Sequence, residues 1–121
     1  MQLDLFNTSD GHILIEIEEW LPVPDFPAYE ASNLGRFRRK KDCLILNGTI
    51  AFNGYVHIGL TRNGKQVTKL AHRLIAAAWL VQPSPKHSDV NHKNKVRADN
   101  RVSNLEWSTR SHNSKHARKH S

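Results

Sequence analysis

Apolar and polar residues alternate along several short stretches of this chain, which is typical of half-buried β-strands. The alternating stretches are HILIEIEEW (12–20), YVHIGLT (55–61) and QVTKLA (66–71). Asn-Gly pairs occur at 47–48, 53–54 and 63–64. Such pairs favour positive φ angles and close two-residue hairpins, so they predict turns between neighbouring strands. We therefore expect residues 29–71 to form a small, twisted antiparallel sheet with basic turns.

Two segments at the start of this region carry other signals. The segment LPVPDFP (21–27) has three prolines in seven residues, and proline lacks the N–H that a sheet ladder needs. It is therefore predicted to be an extended connector. The segment YEASNLGRFRRK (29–40) predicts a short strand, a turn at 33–35 and a second strand rich in arginine.

One helix is predicted, at AHRLIAAAWLV (71–81), because the segment is rich in Ala and Leu and lacks Gly and Pro. The prolines of the linker that follows, Pro83 and Pro85, end it. The apolar residues at helical spacing, which should anchor the core, are Leu74, Ile75, Ala78 and Trp79. The tryptophans interpreted as core residues are Trp20, Trp79 and Trp107.

The C-terminal part predicts a compact strand–loop–strand–helix unit. Residues 89–93 and 105–109 suit short strands, residues 94–104 lack apolar periodicity and must loop, and a helix is predicted over 111–119. The fold class is therefore α+β. The predicted divisions are an N-terminal segment at 1–12, a β-rich module at 13–69 and a domain at 70–121 that contains the helix at 71–81 and the unit at 89–119.

Charge is distributed very unevenly along the chain. Residues 1–30 hold seven acids and no Lys or Arg, giving −7, whereas residues 31–121 hold 18 basic residues and four acids, giving +14. A field of that sign favours a polyanion, and nucleic acid is the commonest one. The alternative is that the basic residues only keep the chain in solution. The acidic segment has three open roles: covering the basic surface, competing with DNA, or mediating assembly.

Composition disfavours several other classes. The single Cys43 rules out an internal disulfide and a zinc site of paired cysteines, and it fits a reducing, cytoplasmic setting. No stretch approaches the ~18 apolar residues of a membrane span, and we expect no secretory signal. A membrane partner is not expected, because no predicted helix combines a basic face with a broad apolar one.

The polar stretch DVNHKNKVRADNRVSNLEWSTRSHN (89–113) is dense in Asn and His, which packing alone does not require. It has three interpretations: a turn-rich connector, a metal site, or a catalytic site that handles phosphate. The predicted unit places His92, on its first strand, across from Asn113 on its helix. Histidine can serve as a general base near neutral pH. Asn carbonyl oxygens suit Mg²⁺ or Mn²⁺, and an amide such as that of Asn104 can hold an imidazole in one tautomer.

The segment VNHKNKVRADNRVSNLEWSTRSHNSKHA (90–117) resembles the HNH (ββα-metal) nuclease motif of phage and intron-encoded homing endonucleases. Two upstream segments resemble segments that accompany this motif in those endonucleases. WLPVPDFPAYEASNLGRFRR (20–39) resembles the N-terminal, NUMOD4-like DNA-contacting module, and LAHRLIAAAWL (70–80) resembles the helix that enters the nuclease motif. The resemblance implies a metal-dependent endonuclease that hydrolyses phosphodiester bonds of double-stranded DNA, by nicking or by double-strand cleavage.

The resemblance also implies roles for particular residues. His92 matches the general base, and Asn104 matches the Asn that fixes both the base and the loop. Asn91 and Asn113 match the metal-ligating positions, with His116 as an alternative ligand. Because both matched ligands are neutral, an ion bound to the free enzyme would be held weakly.

The chain departs from the family pattern in its connecting loop. It also has two further candidate site residues upstream of the motif. The loop reads KNKVRADN (93–100) and has no Gly just after the His, which changes the turn or adds phosphate contacts. His72 is interpreted as a hydrogen-bonded structural group and Arg73 as a phosphate contact.

Basic residues divide between two expected DNA-binding surfaces. Those on turns and strands of the β-rich module, where a two-stranded ribbon can enter the major groove, are Arg36, Arg38, Arg39, Arg62 and Lys65. Those expected to hold the DNA backbone near the cut are Arg73, Lys93, Lys95, Arg97 and Arg101.

Other interpretations stay open. His92 also suits an ordinary surface histidine, and Asn91 and Asn113 also suit turn and cap positions. The alternative functions are a non-catalytic DNA-binding protein that keeps the HNH frame and a structural zinc module built from histidines. The target sequence, the preferred ion and the oligomeric state, monomer or homodimer, are left open. If the chain is phage-encoded, it would act in the cytoplasm of the bacterial host cell.

Overall fold

The computed structural model describes residues 3–7 and 13–111, with side chains from Glu16 onward. The first strands are β1 (Leu3–Asn7), β2 (Ile13–Ile17), β3 (Trp20–Val23), β4 (Phe26–Ser32), β5 (Phe37–Arg39) and β6 (Ile45–Leu46). The next are β7 (Thr49–Ile50), β8 (Val56–Arg62) and β9 (Lys65–Leu70), which runs into helix α1 (Ala71–Trp79). A final strand β10 (Asp89–His92), a 3-10 turn (Val102–Asn104) and β11 (Leu105–Ser108) follow. The predicted α+β class is confirmed.

The described strands form four antiparallel sheets, ordered β1-β2, β3-β4-β5-β6, β7-β8-β9 and β10-β11. The single sheet predicted over residues 29–71 is therefore two sheets. Asn63 and Gly64 close the predicted β8–β9 hairpin, with φ angles of 53° and 76°. The Asn-Gly pair at 47–48 closes no hairpin, because the chain there passes from one sheet to the other. Gly48 allows that passage, since a Cβ at this position would lie 2.7 Å from Val56 Cγ1.

The proline-rich segment is a hairpin, so the predicted extended connector is wrong. Strands β3 and β4 pair through it, and Asp25 turns the chain with a φ of 66°. Proline is tolerated because β3 is an edge strand, where the missing N–H of Pro22 leaves no partner unsatisfied on its open side. The predicted strand at 12–20 is likewise interrupted at residues 18 and 19, between β2 and β3.

Helix α1 ends at Trp79, two residues before the predicted end, and packs one face on the sheets. Ile75 is fully buried, and Leu74, Ala78 and Trp79 pack against the core, as their spacing predicted. One apolar cluster joins both halves of the chain; its buried residues include Val23, Phe26, Ala31, Phe37, Leu60, Ile75, Val90 and Leu105.

The three tryptophans behave differently from one another. Trp79 and Trp107 pack against the core and donate their ring N–H groups to the carbonyl oxygens of Ala31 and Leu80, at 3.0 and 3.1 Å. Trp20 is not a core residue. It is half-buried, and the guanidinium of Arg38 covers it at 4.1 Å from the ring centroid.

Two expectations concern the remaining parts of the chain. The helix predicted over 111–119 lies almost entirely outside the described residues. Within the described ranges, no helix has the length and apolar character needed to cross a membrane.

Candidate active site

The strand pair β10–β11 places His92 at the mouth of the polar loop. His92 lies opposite Leu105, and Asn91 lies opposite Glu106. Val90 and Leu105 are buried in the core and so fix this strand pair against the rest of the chain. The backbone N–H of Lys93 donates to the carbonyl of Asn104 at 2.7 Å and continues the pairing just past His92.

The imidazole of His92 is held by Asn100. Nε2 of His92 lies 2.7 Å from Oδ1 of Asn100, which is itself buried, with 6% of its surface exposed. An amide oxygen can only accept a hydrogen bond, so the ring proton lies on Nε2. The Nδ1 atom then carries the lone pair, which is the form that a general base needs.

Asn100 was not identified from the sequence, and the hydrogen bond with the His92 imidazole was assigned to Asn104. The side chain of Asn104 bonds the loop instead: its Oδ1 accepts from the Asn94 N–H at 3.0 Å, and its Nδ2 donates to Asn94 Oδ1 and to the Asp99 carbonyl at 3.0 and 2.8 Å. Among the described contacts, no hydrogen bond joins Asn104 to His92. Asn104 therefore acts on the ring through the loop that carries Asn100.

Charged groups reinforce the same loop. Asp99 accepts two hydrogen bonds from the guanidinium of Arg101, at 2.8 and 2.7 Å, and one from Asn94 Nδ2 at 2.9 Å. The hydrogen bond from Arg101 is the largest influence on Asp99 and lowers the pKa of this carboxyl below its usual value, although partial burial opposes it. The loop turns without glycine because Lys95 itself adopts a φ of 65°.

Two aromatic rings surround His92. The His72 ring lies 5.0 Å from the His92 ring, and Tyr55 stacks on His72 at 5.1 Å with an interplanar angle of 23°. Burial, with smaller contributions from electrostatic interaction with His92, Arg73 and His57, lowers the pKa of His72 to about 4, so this ring is neutral at physiological pH. We expected His72 to be hydrogen-bonded, but its Nδ1 has no partner among the described residues.

The β-rich module touches the site directly. The Val102 N–H donates to the carbonyl of Asn33 at 2.9 Å, at the turn between β4 and β5. Gly35, in the same turn, has a φ of 91°, and a Cβ there would lie 2.9 Å from the carbonyl carbon of Asn100. A side chain at this position would push against the residue that holds His92.

The predicted metal ligands are only partly covered by the structure. Asn91 is half-buried on β10, and an amide oxygen such as the one it carries suits a hard cation. Asn113 and His116 lie outside the described residues. Within the described ranges, no three His, Cys, Asp or Glu side chains cluster to form a metal site. A ligand set of amide oxygens, as predicted, does not depend on such a cluster.

Three of the arginines predicted to bind DNA also form ion pairs within the β-rich module. Arg36 pairs with buried Glu18 at 2.5 Å, Arg38 pairs with Glu30 at 2.9 Å, and Arg39 pairs with Asp42. Burial of Glu18 raises its pKa, but hydrogen bonds from Arg36 and Ser32 outweigh that effect, so its pKa is lowered overall. DNA contact by these arginines stays a prediction.

The other predicted contacts lie nearer the loop or on exposed turns. Arg97 donates to the Asn53 carbonyl at 2.8 Å, and Arg73 donates to the Ser88 carbonyl at 2.7 Å. Arg62 lies 4.7 Å from the centroid of the Phe26 ring. The predicted contacts that are exposed include Arg62, Lys65, Arg73, Lys93, Lys95 and Arg97.

Comparison with known proteins gives consistent matches for both halves of the chain. Residues 69–115 match a family model described as HNH endonuclease, and residues 18–61 match one described as NUMOD4 motif. Two uncharacterized HNH endonucleases of Acanthamoeba polyphaga mimivirus are 36% and 30% identical to this chain over 101 and 99 residues. These alignments cover 84% and 82% of this chain but 30% and 25% of the viral proteins, so it spans less than a third of their length.

A solved structure shows the same arrangement of elements. The chain superposes on the HNH homing endonuclease I-HmuI, described for its DNA binding and cleavage, with a TM-score of 0.75 and 29% sequence identity. The match covers 84% of this chain and 59% of that one.

Proposed function

Because this chain carries an HNH endonuclease domain and a NUMOD4 motif, we propose that it is a metal-dependent DNA endonuclease in which His92 is the general base. The observation that carries this proposal is the 2.7 Å hydrogen bond between His92 Nε2 and Asn100 Oδ1. It directs one nitrogen of the ring to a buried amide and leaves the other as a proton acceptor.

The reaction begins when Nδ1 of His92 takes a proton from a water molecule. The hydroxide that results attacks the phosphorus as the bond to the 3′-oxygen breaks. The departing 3′-oxygen takes a proton from solvent water and the His92 imidazolium releases its proton to solvent, leaving a 5′-phosphate and a 3′-hydroxyl. As the ring becomes positive, its hydrogen bond to Asn100 becomes charge-assisted and therefore stronger. The neighbouring His72 is neutral, with a pKa of about 4, so it does not oppose this positive charge.

A divalent ion, Mg²⁺ or Mn²⁺, would be held by the side-chain oxygens of Asn91 and Asn113, with His116 as an alternative ligand. When bound, such an ion stabilises negative charge on the phosphoryl oxygens and on the departing 3′-oxygen. The ligands are neutral, so the DNA phosphate itself contributes charge to the site, and the ion is expected to bind more tightly with DNA than without it.

Double-stranded DNA is the proposed substrate, held by the basic residues of the loop and of the β-rich module. One site of this kind cuts one strand at a time, so a monomer would nick and a homodimer would be able to break both strands. The main alternative is a protein that binds DNA through the same frame without cutting it.

A plasmid assay tests the proposal. Supercoiled plasmid is incubated with the protein and Mg²⁺, Mn²⁺ or EDTA, and the open-circular product is then treated with DNA ligase. We expect open circles with a divalent ion and none with EDTA, and we expect ligase to reseal them because the nick carries a 5′-phosphate and a 3′-hydroxyl.

The two alternative functions predict other results with the same purified protein. Salt-sensitive DNA binding without nicking under any ion would show a binding protein and refute the enzyme. Tightly bound, stoichiometric zinc in metal analysis, again without nicking, would favour a structural zinc module.

A further inference from the structure

The turn before β8 carries an aromatic side chain that no part of the core covers. Phe52 has a relative exposure of 105%, whereas the core phenylalanines, Phe26 and Phe37, are at 2% and 3%. We propose that Phe52 is a wedge that inserts between base pairs of bound DNA and unwinds the duplex beside the cut. This inference rests on the proposed endonuclease function.

The turn that presents Phe52 is fixed by its own hydrogen bonds. The Gly54 N–H donates to the Ala51 carbonyl at 2.8 Å, and the Ala51 N–H donates to the Tyr55 carbonyl at 2.9 Å. The Tyr55 N–H donates to Asn53 Oδ1 at 3.2 Å, and Gly54 adopts a φ of 89°. The exposed ring is therefore held outward by an ordered backbone, which is what insertion into a base stack requires.

Arg97 connects this turn to the loop at residues 93–100. Its guanidinium donates to the Asn53 carbonyl at 2.8 Å and lies 4.8 Å from the centroid of the Tyr55 ring. A Cβ on Gly54 would lie 3.5 Å from the Arg97 Cδ, so the arginine stem runs close along the turn. The wedge and the loop that orients His92 are thus parts of one clamped unit.

The turn is also connected to the proposed base through aromatic rings. Tyr55 stacks on His72, and its ring centroid is 6.1 Å from that of His92. Phe52 precedes Tyr55 by three residues, and the proposal places the base-pair step that receives the Phe52 ring beside the phosphate that His92 would address. Unstacking there would bend the duplex and present that phosphate to the site.

Charge identifies the partner as nucleic acid. The chain from residue 31 to 121 carries a net +14, and Lys93, Lys95 and Arg97 are exposed in the loop beside the turn. A basic surface of this kind attracts a polyanion, and bases are the polyanion's apolar, stackable part. DNA-bending proteins use Phe and other apolar residues in this way.

Unwinding is measurable without knowing the target sequence. His92→Ala protein, expected to bind without cutting, is added to closed circular plasmid during relaxation by a topoisomerase, and the linking number is measured after the protein is removed. We expect His92→Ala to lower the mean linking number as occupancy rises. His92→Ala/Phe52→Ala should leave it unchanged at equal occupancy, and His92→Ala/Phe52→Trp should lower it.

The matched control is His92→Ala/Val81→Ala, in which another exposed apolar side chain, 90% accessible, is truncated beyond the end of α1. It should unwind as the parent does. Losing a stacking contact should also weaken DNA binding of the Phe52→Ala variant by roughly 5- to 150-fold, so equal occupancy requires more protein. Thermal unfolding should be unchanged, because Phe52 makes no core contact.

The outcomes separate the wedge from the enzyme. If wild type nicks DNA but no variant changes the linking number, or if the Phe52→Ala variant unwinds as well as its parent, the wedge is refuted and the endonuclease stands. If Phe52→Ala alters self-association and leaves DNA binding intact, Phe52 belongs to a protein interface and the wedge is again refuted. Absence of nicking by wild type refutes the enzyme itself.

Discussion

Replacing Asn100 with Ala removes the hydrogen bond, 2.7 Å long, that holds Nε2 of His92. With the ring neutral, a bond of this kind contributes about 0.5–1.5 kcal/mol, and with the ring protonated about 1.5–3 kcal/mol. Because the ring acquires its proton as the reaction proceeds, the transition state loses the larger amount. The ground state loses the smaller amount, so the barrier rises by the difference, about 1–1.5 kcal/mol, and the rate of nicking should fall by roughly 5- to 15-fold.

The assay is the initial rate of open-circle formation, measured across a pH series at saturating metal. The Asn100→Asp variant distinguishes loss of the hydrogen bond that orients the His92 ring from a general loss of folding. It keeps an acceptor for Nε2, but its carboxylate favours the protonated ring, which is inactive as a base. Its activity should therefore return at higher pH, so that the pH profile is displaced upward relative to wild type.

Asn47→Ala is the matched control, because Asn47 is an exposed asparagine between β6 and β7. It should nick at the wild-type rate. The reasoning fails if Asn100→Ala nicks as fast as Asn47→Ala, or if Asn100→Asp is impaired equally at every pH.

Three further predictions follow from the same contacts. Gly35→Ala forces a φ of 91° on alanine and places its Cβ 2.9 Å from the Asn100 carbonyl carbon, so both the unfolding midpoint and the nicking rate should fall. The control Gly64→Ala has no atom within 4 Å of the new Cβ and should lose stability without losing nicking activity. Equal nicking by the two variants would contradict this prediction. His72 has its folded-state pKa lowered from 6.5 to about 4, so stability that is present above about pH 6.5 should be lost as pH falls toward 4, by about 2 kcal/mol between pH 7 and 5. Denaturant unfolding of His72→Phe should show a smaller loss over that range, and an identical pH dependence would contradict the assignment. Lys93→Ala should lower the slope of log DNA affinity against log salt by about 1, and an unchanged slope would exclude a phosphate contact at this residue.

Elements set by local sequence were predictable. Helix α1, the strand pair β10–β11 and the turn at Asn63 and Gly64 follow from residue spacing and from the preference of Asn-Gly for positive φ. The proline-rich hairpin was not predictable, because whether Pro22 is tolerated depends on β3 being an edge strand, which is a property of the assembled sheet.

The site was predictable to the extent that its residues follow a known motif. The roles of His92 and Asn104 were predicted in this way and stay predictions. The contact between Asn100 and His92 was not predicted, because it depends on how the loop closes. That closure comes from the Asn104 side chain and from Gly35, which precedes Asn100 by 65 residues in the chain. A close-approach glycine is visible in a sequence only as a turn signal, and nothing in the turn indicates what it faces.

The charge pattern was also only half informative. The acidic N-terminal region and the basic remainder suggested a nucleic-acid partner, but composition does not show local pairing. Glu18 and Glu30, from the acidic part, neutralise Arg36 and Arg38 within the β-rich module. Part of the predicted DNA-binding charge therefore has a structural partner, which makes the exposed lysines of the loop more informative positions for DNA-binding measurements.

The most direct test of the whole account compares nicking by wild type, His92→Ala and His87→Ala under one set of conditions with Mg²⁺ or Mn²⁺. His87 is a control histidine in the linker, where its ring bonds the Ser84 hydroxyl at 2.8 Å. We predict that His87→Ala nicks as wild type does, and that His92→Ala binds DNA but nicks roughly 100-fold more slowly or worse. Equal nicking by all three proteins would contradict the assignment of His92 as the base.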